Sequence, residues 1–398
     1  MRTILTRTII LVSFVSFFTD IASEMLYPVM PVYLQSIGFS VILIGVLEGL
    51  AEATAGLSKG YFGKYSDKIG SRVPFVRWGY LLSAISKPLM AAFAVPVWVF
   101  FVRTLDRLGK GIRTGARDAM LSDEASKENK GKVFGFHRAL DTAGAALGPF
   151  AALIFLHYYP AQYKWLFVIA VIPGIAAIAL TFLLKDKQKP GSTKKSPGFL
   201  SFLSYWGESS KQFKLLVIGL LAFTLFNSSD AFLLLSIKQN GFSDTYMIAV
   251  YIFYNLVYAL LSFPIGILAD KIGLGRTLII GLFVFAIVYS LLGFAVVSWQ
   301  FIFIFGLYAV YAASTEGISK ALISNMAEKN KTATAIGFYT SFASIFTLLA
   351  SSLAGFIWFA LGMKAMFLIS GLGVLCVVLY LIFVAKVAAV QNKGSLSS

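Results

Sequence analysis

The residues placed to do chemistry are the charged ones that fall inside long apolar blocks. Asp20 and Glu24 lie four residues apart in the first block, and Glu48 and Glu52 repeat that spacing in the second. At helical periodicity each pair occupies one face. Lys87 sits in the third block, Arg103, Asp106 and Arg107 in the fourth, and His137, Arg138 and Asp141 in the fifth. The second half of the chain offers only Asp230, Glu316 and Lys320 at comparable depth. A charge in hydrocarbon costs about 2.5–3.5 kcal/mol on insertion scales, so such positions are functional candidates by default. A buried carboxylate beside a guanidinium can take up and release a proton near neutral pH, and Asp20, near the middle of its block, leads as the carrier. The alternatives are a static network in which the arginines neutralise the acids, or an anionic ligand held by the guanidinium forks of Arg103 and Arg107. His137 reads as a hydrogen-bonded packing residue.

The elements that must position these groups follow from composition. Of 398 residues 58% are hydrophobic and only 13% charged, about half the ~25% charged share of a typical soluble protein. A bilayer core of ~30 Å takes ~20 apolar residues per helix. The chain divides into spans near 8–34, 41–63, 74–94, 96–117, 133–157 and 163–184, then 214–237, 244–268, 276–297, 300–322, 334–360 and 364–386. The apolar run that follows Arg2 and Arg7 has no small-residue cleavage site and is read as a retained first helix. The expected fold is all-α and integral to a membrane, with twelve transmembrane helices. One bundle covers 1–184, a linker 185–213 and a second bundle 214–398. The linker holds Pro190, Gly191, Pro197, Gly198 and six lysines and reads as solvated, with Phe199–Trp206 an amphipathic stretch at the membrane surface.

The net charge of +16 is carried by loops on one side, which places both termini and the linker in the cytoplasm of a cell (inner) membrane. That distribution excludes nucleic acid as a partner. A single cysteine, Cys376, leaves no intramolecular disulfide or cysteine metal cluster. There is no phosphate-binding loop, H-E-x-x-H or nucleophile elbow. An enzyme is therefore not expected, nor any cofactor beyond a proton gradient, and the chain is read as a monomer.

An internal repeat supports the division. Gly38-Phe39-Ser40 recurs as Gly241-Phe242-Ser243, 203 residues on, and the same offset takes Gly63 and Asp67-Lys68-Ile69-Gly70 onto Gly266 and Asp270-Lys271-Ile272-Gly273. Gly135-Phe136 recurs as Gly337-Phe338. Parallel halves related in this way are a signature of secondary transporters, with the site expected between them near mid-membrane.

The stretch from Gly63 to Arg72 resembles the loop 2–3 signature of the major facilitator superfamily, with Lys68 where arginine is usual and the later basic residue displaced to Arg72. Asp67 can cap a neighbouring helix N-terminus, and the glycines allow a tight turn and close helix approach. Gly135, Gly144 and Gly148-Pro149 resemble the span-5 motif of proton-coupled antiporters, with Ala152-Leu153 in place of its final glycine pair. Tyr27-Pro28-Val29-Met30-Pro31 is similar to the proline pair of twelve-span drug/proton antiporters. Arg107 and Gly111 resemble their R-x-x-x-G element, with Arg113 where a small residue is usual. The resemblance covers nearly the whole chain and is more specific for fold than for substrate. It implies two six-helix bundles that move a small molecule by alternating access. Proton-coupled export of an amphiphilic or drug-like compound is the leading expectation, and proton-coupled uptake or exchange of an anionic metabolite the other.

Overall fold

The structure, a computed structural model, describes residues 5–27, 30, 33–34, 37–39, 41–93, 95–160, 162–186, 196–328 and 330–394. Pro28, Pro31, Ser40, Lys329 and the linker lysines Lys187, Lys189, Lys194 and Lys195 lie outside the described residues, as does the side chain of Glu48. No strand occurs among the described residues.

The first half comprises α1 (Arg7–Glu24), α2 (Val41–Ile69), α3 (Val73–Ala92), α4 (Pro96–Glu124), α5 (Lys130–Tyr158), α6 (Tyr163–Ile169) and α7 (Val171–Phe182). A short 3-10 turn, Ser201–Ser204, and the one-turn helix α8 (Tyr205–Glu208) lie in the linker. The second half comprises α9 (Lys211–Phe226), α10 (Asp230–Gln239), α11 (Asp244–Ile272), α12 (Leu274–Leu292), α13 (Ser298–Met326), α14 (Thr332–Leu361) and α15 (Met363–Gly394). With α6–α7 and α9–α10 each counted as one, these make twelve passes. Side-chain caps start several of them. Thr6, Ser210 and Ser243 accept from the backbone N–H three residues on, at 3.4, 3.2 and 3.2 Å, which satisfies an otherwise orphaned donor.

Four departures from the apolar pattern matter. The helix expected over 8–34 ends at Glu24 and gives way to a turn at Met25–Tyr27, just before Pro28, and a residue preceding proline is pushed out of helical geometry. α2 and α4 run about two turns beyond the apolar limits 63 and 117, because their last turns are polar yet still helical. The sixth span breaks at Ala170, where Pro173 has no N–H to give the carbonyl of Ile169. The seventh breaks at Asn227–Ser229, and Ser229 Oγ restarts the helix by accepting from Ala231 N at 3.3 Å.

By proximity the chain resolves into two compact units. The first holds Met1–Lys127, Phe136–Gly207 and Glu328–Ser344; the second holds Glu128–Gly135, Glu208–Ala327 and Ile345–Ser398. Each unit thus takes in one short segment from the opposite half of the sequence. In the first unit α4 packs on α2 and α3, while the sixth span packs on α1 and α3. In the second the same order repeats: α13 packs on α11 and α12, and α15 on α9 and α12. Lipid gives helices no hydrophobic incentive to associate, so close approach of small residues carries the packing. At the α3–α4 crossing, a Cβ on Gly79 would stand 2.6 Å from the carbonyl oxygen of Gly109.

Candidate functional site

Asp106 is the hub of one polar cluster in the first unit. Its Oδ1 lies 3.6 Å from Lys87 Nζ and accepts from Ser86 Oγ at 3.3 Å, while its Oδ2 lies 3.6 Å from Arg103 Nη1. Ser83, Ser86 and Lys87 fall on one face of α3, and Arg103 precedes Asp106 by three residues on α4, so two facing helices deliver the cluster. Lys87 Nζ donates to the Ser83 carbonyl at 2.9 Å and Arg113 Nη1 to Ser83 Oγ at 2.7 Å. The Arg113 guanidinium stands 4.6 Å over the Tyr80 ring, within cation–π range.

A second cluster centres on Asp141 of α5. Arg138 Nη1 donates to its Oδ2 at 2.8 Å and Arg117 Nη1 lies 4.0 Å from its Oδ1. The carboxyls of Asp20 and Asp141 are close enough to interact. Arg117 also donates to Asp118 at 2.9 Å and to Ser16 Oγ at 3.3 Å, and Ser16 shares a 2.7 Å hydrogen bond with the Tyr80 hydroxyl. Tyr80 therefore joins the two clusters. His137 Nδ1 lies 3.4 Å from Ser13 Oγ. Glu52 forms a third, looser group, 3.8 Å from Lys59 Nζ and 4.0 Å from Arg107 Nη1. Glu24 lies in the field of Lys110, Arg107 and Arg103. In a network this buried, removing one partner costs ~3–5 kcal/mol, because the other charge is left uncompensated.

Ser86, Lys87, Arg103 and Asp106 form the polar part of the lining of a small cleft. Ser23, Leu26, Met30, Met90 and Phe167 complete the lining, largely apolar.

The repeated loops have a different geometry. Asp67 accepts from Thr334 N and Thr334 Oγ1, each at 2.6 Å, and from Ala333 N at 3.4 Å, at the start of α14. Arg72 forms an ion pair with Asp67 and donates to Ser66 Oγ at 2.8 Å. Asp186 accepts from the Arg72 and Val73 N–H groups at 3.0 and 3.3 Å, which caps α3. In the second unit Asp270 accepts from Gly131 N at 2.7 Å and Lys132 N at 2.8 Å, at the start of α5. Lys68 and Lys271 take no part in these ties.

Glycines bring the backbones close enough for the ties. A Cβ on Gly63 would stand 2.4 Å from the Ala333 carbonyl, and one on Gly266 would stand 2.4 Å from that of Gly131. Gly337 meets Lys59 and Gly60, and Gly135 meets Ser262 and Gly266, equally closely. Gly70 and Gly273, at φ of +75° and +104°, end α2 and α11 in a geometry that side chains rarely adopt. In the span-5 motif, Gly144 abuts the Phe17 carbonyl and Gly148 the backbone of Ile21 and Met25, so α5 crosses α1 beside Asp20; Pro149 follows within the helix.

The structure thus gathers Asp20, Glu24, Glu52, Lys87, Arg103, Asp106, Arg107, Arg138 and Asp141 into one polar region, and it sets Asp67 and Asp270 apart in helix-end ties. Sequence reasoning missed Lys59, Lys110, Arg117 and Asp118, and it noted Arg113 without assigning it to this site. Lys110, Arg117 and Asp118 had a signal, since charges at 103, 107, 110, 113 and 117 follow at intervals of three and four residues along α4, with 106 and 118 beside them. In the linker, Phe202 and Tyr205 are buried and Trp206 stacks on Phe338 at 5.8 Å. Burial, with Glu328 nearby, pushes the Tyr205 phenol up to about 12.

A repeated packing of twelve helical passes, with charges held inside the first repeat, is the architecture of a secondary membrane transporter. The sequence profile of the Major Facilitator Superfamily matches residues 12–253 and 215–397. An uncharacterised MFS-type transporter of Methanocaldococcus jannaschii, MJ1317, is 33% identical over 360 residues, 89% of each chain. The multi-drug resistance efflux pump PmrA of Streptococcus pneumoniae is 24% identical over 79% of this chain and 80% of its own. The fold of the human organic anion transporter MFSD10 (TETRAN) superposes with a TM-score of 0.81 at 16% identity, over 94% of this chain and 99% of that one. The chain belongs to the major facilitator superfamily, and it is a multi-pass membrane transporter.

Proposed function

We propose that this transporter exports a small amphiphilic, drug-like compound in exchange for protons. It works by alternating access as a monomer in the cell's inner membrane, with termini and linker cytoplasmic. The functional bundles are 1–184 and 214–398, its partners are substrate, protons and lipid, and it needs no cofactor. The observation that carries the reading is that Asp141, a neighbour of Asp20, is ion-paired to Arg117 and Arg138 within the spans. Neighbouring buried carboxyls repel when both are ionised, so one of the two is suited to hold a proton. Loss of that proton leaves a charge that Arg117 and Arg138 are placed to answer. The efflux-pump name of PmrA supports the outward direction. The ties of Asp67 and Asp270 set which state is favoured and do not touch substrate.

The test is flux in proteoliposomes across a library of amphiphiles, with an imposed pH gradient. Uphill movement of at least one compound against inward proton flow is expected; indifference of every flux to the gradient overturns the coupling. A second reading, proton-coupled uptake or exchange of an anionic metabolite, draws on Lys87 and Arg103 outnumbering Asp106 on the cavity wall. The sign of the pH effect separates the two.

A further inference from the structure

One arginine of the first unit stands apart from the ion-paired networks. Arg72, Arg103, Arg107, Arg117 and Arg138 each have a carboxylate oxygen within 4.0 Å, and Arg77 has none among the described residues. Arg77 lies on α3 one turn past Val73, ~6 Å along the axis from the helix start. Its guanidinium carbon stands 4.7 Å over the Phe182 ring, and its Nη2 donates to the Thr181 carbonyl at 3.4 Å, in the last turn of α7. Its Nε is buried without a hydrogen-bond partner. A guanidinium has five N–H donors, so α7 holds this one in place and leaves most of its donors to spare.

From Arg77 into the membrane the two helices form a groove. They run antiparallel: Arg77 meets Thr181, and Ala84, two turns further along α3, meets Gly174, two turns earlier on α7. A Cβ on that glycine would stand 3.3 Å from the Ala84 Cβ. In an antiparallel pair the residue after each contact turns ~100° to the same side on both helices. Those residues are Trp78 and Ile85 on α3 and Ile175 and Phe182 on α7, and all four are exposed. They line an apolar trough about two turns long with Arg77 at one end. Lys185, also exposed, follows Thr181 just past the end of α7.

An apolar trough with a guanidinium at its end has the polarity of a phospholipid, chain along the trough and phosphate at the end. A guanidinium fork matches two phosphate oxygens, and such charge-assisted pairs are the strong ones. Basic pockets between membrane helices take anionic headgroups for this reason. A headgroup with its own cation would bring a second positive charge beside Arg77. Asp186, the acid that follows Lys185, is already committed to the N–H groups of Arg72 and Val73. We infer that the α3–α7 groove is a binding site for one anionic phospholipid of the surrounding bilayer, with its phosphate on Arg77 and an acyl chain along Trp78, Ile85, Ile175 and Phe182. The site is independent of the cargo and of the direction in which it moves.

The experiment is a titration of the purified full-length protein in detergent with dioleoylphosphatidylglycerol, read by native mass spectrometry. Dioleoylphosphatidylcholine serves as the zwitterion with the same chains, and glycerol phosphate as the headgroup without chains. One phosphatidylglycerol held about fivefold or more tighter than phosphatidylcholine is expected, with no glycerol phosphate retained. Arg77→Gln should weaken that lipid about tenfold, and Arg77→Lys, which keeps the charge and loses the fork, about threefold. Ile175→Trp, which fills the trough and leaves the charge, should also weaken it about fivefold. Equal binding of the two lipids, or unchanged affinity in Arg77→Gln or Ile175→Trp, overturns the site. Glycerol phosphate bound as tightly as the lipid also overturns it, because the ligand is then a free phosphate. If Arg77→Gln does not purify as a monodisperse protein, Ile175→Trp and the lipid comparison on the wild type decide.

Discussion

The two sequence halves use one packing scheme for different chemistry. Glu48 and Glu52 of α2 correspond, 203 residues on, to Tyr251 and Asn255 of α11. Glu24 corresponds to Asn227 and Ser86 to Tyr289. The first half holds acids and guanidinium groups in ion pairs; the second has phenols and amides at these equivalent positions. The helix-end ties are kept in both, Asp67 on α14 and Asp270 on α5. The difference teaches where each constraint lies. A carboxylate cap and a glycine crossing are demanded by backbone geometry, which both repeats share. The interior groups are under no such backbone demand, and there the halves are free to differ.

The largest effect that could break this comparison is at Asp20. If proton exchange is the business of the first half, Asp20→Asn removes the titrating partner of Asp141 and abolishes gradient-driven accumulation, while substrate–substrate exchange survives in part. Both are measured in one proteoliposome preparation. Full accumulation by Asp20→Asn would move coupling to Glu24, Glu52 or Asp141. The same measurements on Asn255→Ala, at the position equivalent to Glu52, should leave the pH dependence unchanged, because the second half supplies no titrating partner there.

What was legible in the residues follows the same line. Gly63, Asp67 and Gly70 and their repeats Gly266, Asp270 and Gly273 stand out because a turn and a close crossing need particular residue types at fixed spacing. The acids and bases at membrane depth stand out because hydrocarbon makes them costly. Their partners were not legible, since whether Arg117 meets Asp141 or Arg113 meets Ser83 depends on the rotation of α4 against its neighbours. Arg113, Arg117 and Asp118 also lie where a polar sequence looks like the edge of a loop, although the helix runs on to Glu124. The break at Asn227–Ser229 hid within a run of high hydropathy, and its signal was the Asn-Ser-Ser-Asp cluster, whose side chains compete for backbone hydrogen bonds.

A smaller effect sharpens the comparison at the ties. Asp67 has three donors at α14 and a buried ion pair with Arg72, whereas Asp270 has two backbone donors and glycine, Gly275, where the first half has Arg72. Hydrogen bonds to a charged group are worth ~1.5–3 kcal/mol, and a cap ~0.5–2 kcal/mol. Since 1.4 kcal/mol is about tenfold in an equilibrium, Asp67→Asn should slow transport roughly tenfold and Asp270→Asn about threefold, with membrane insertion normal in both. Equal losses would show that Arg72 adds nothing to the first tie.

The smallest effect concerns the one region with no repeat counterpart, the linker. Lys64 Nζ donates to Ser201 O and, at 3.0 Å, to Ser204 Oγ, while the Trp206 ring lies nearly parallel to Phe338 at 16°. This contact reaches the same start of α14 that Asp67 caps, so it is a second, weaker hold on one helix end. An aromatic pair is worth ~0.5–1.5 kcal/mol beyond its buried area, and Trp206 is 37% exposed, which puts Trp206→Ala at the low end. Transport should change by less than about threefold, and the melting temperature of the purified protein should fall by about 2 °C. A tenfold loss of transport, matching Asp67→Asn, would show that the linker is an equal member of the tie. The asymmetry between the halves would then lie in the connection between them as much as in their interiors.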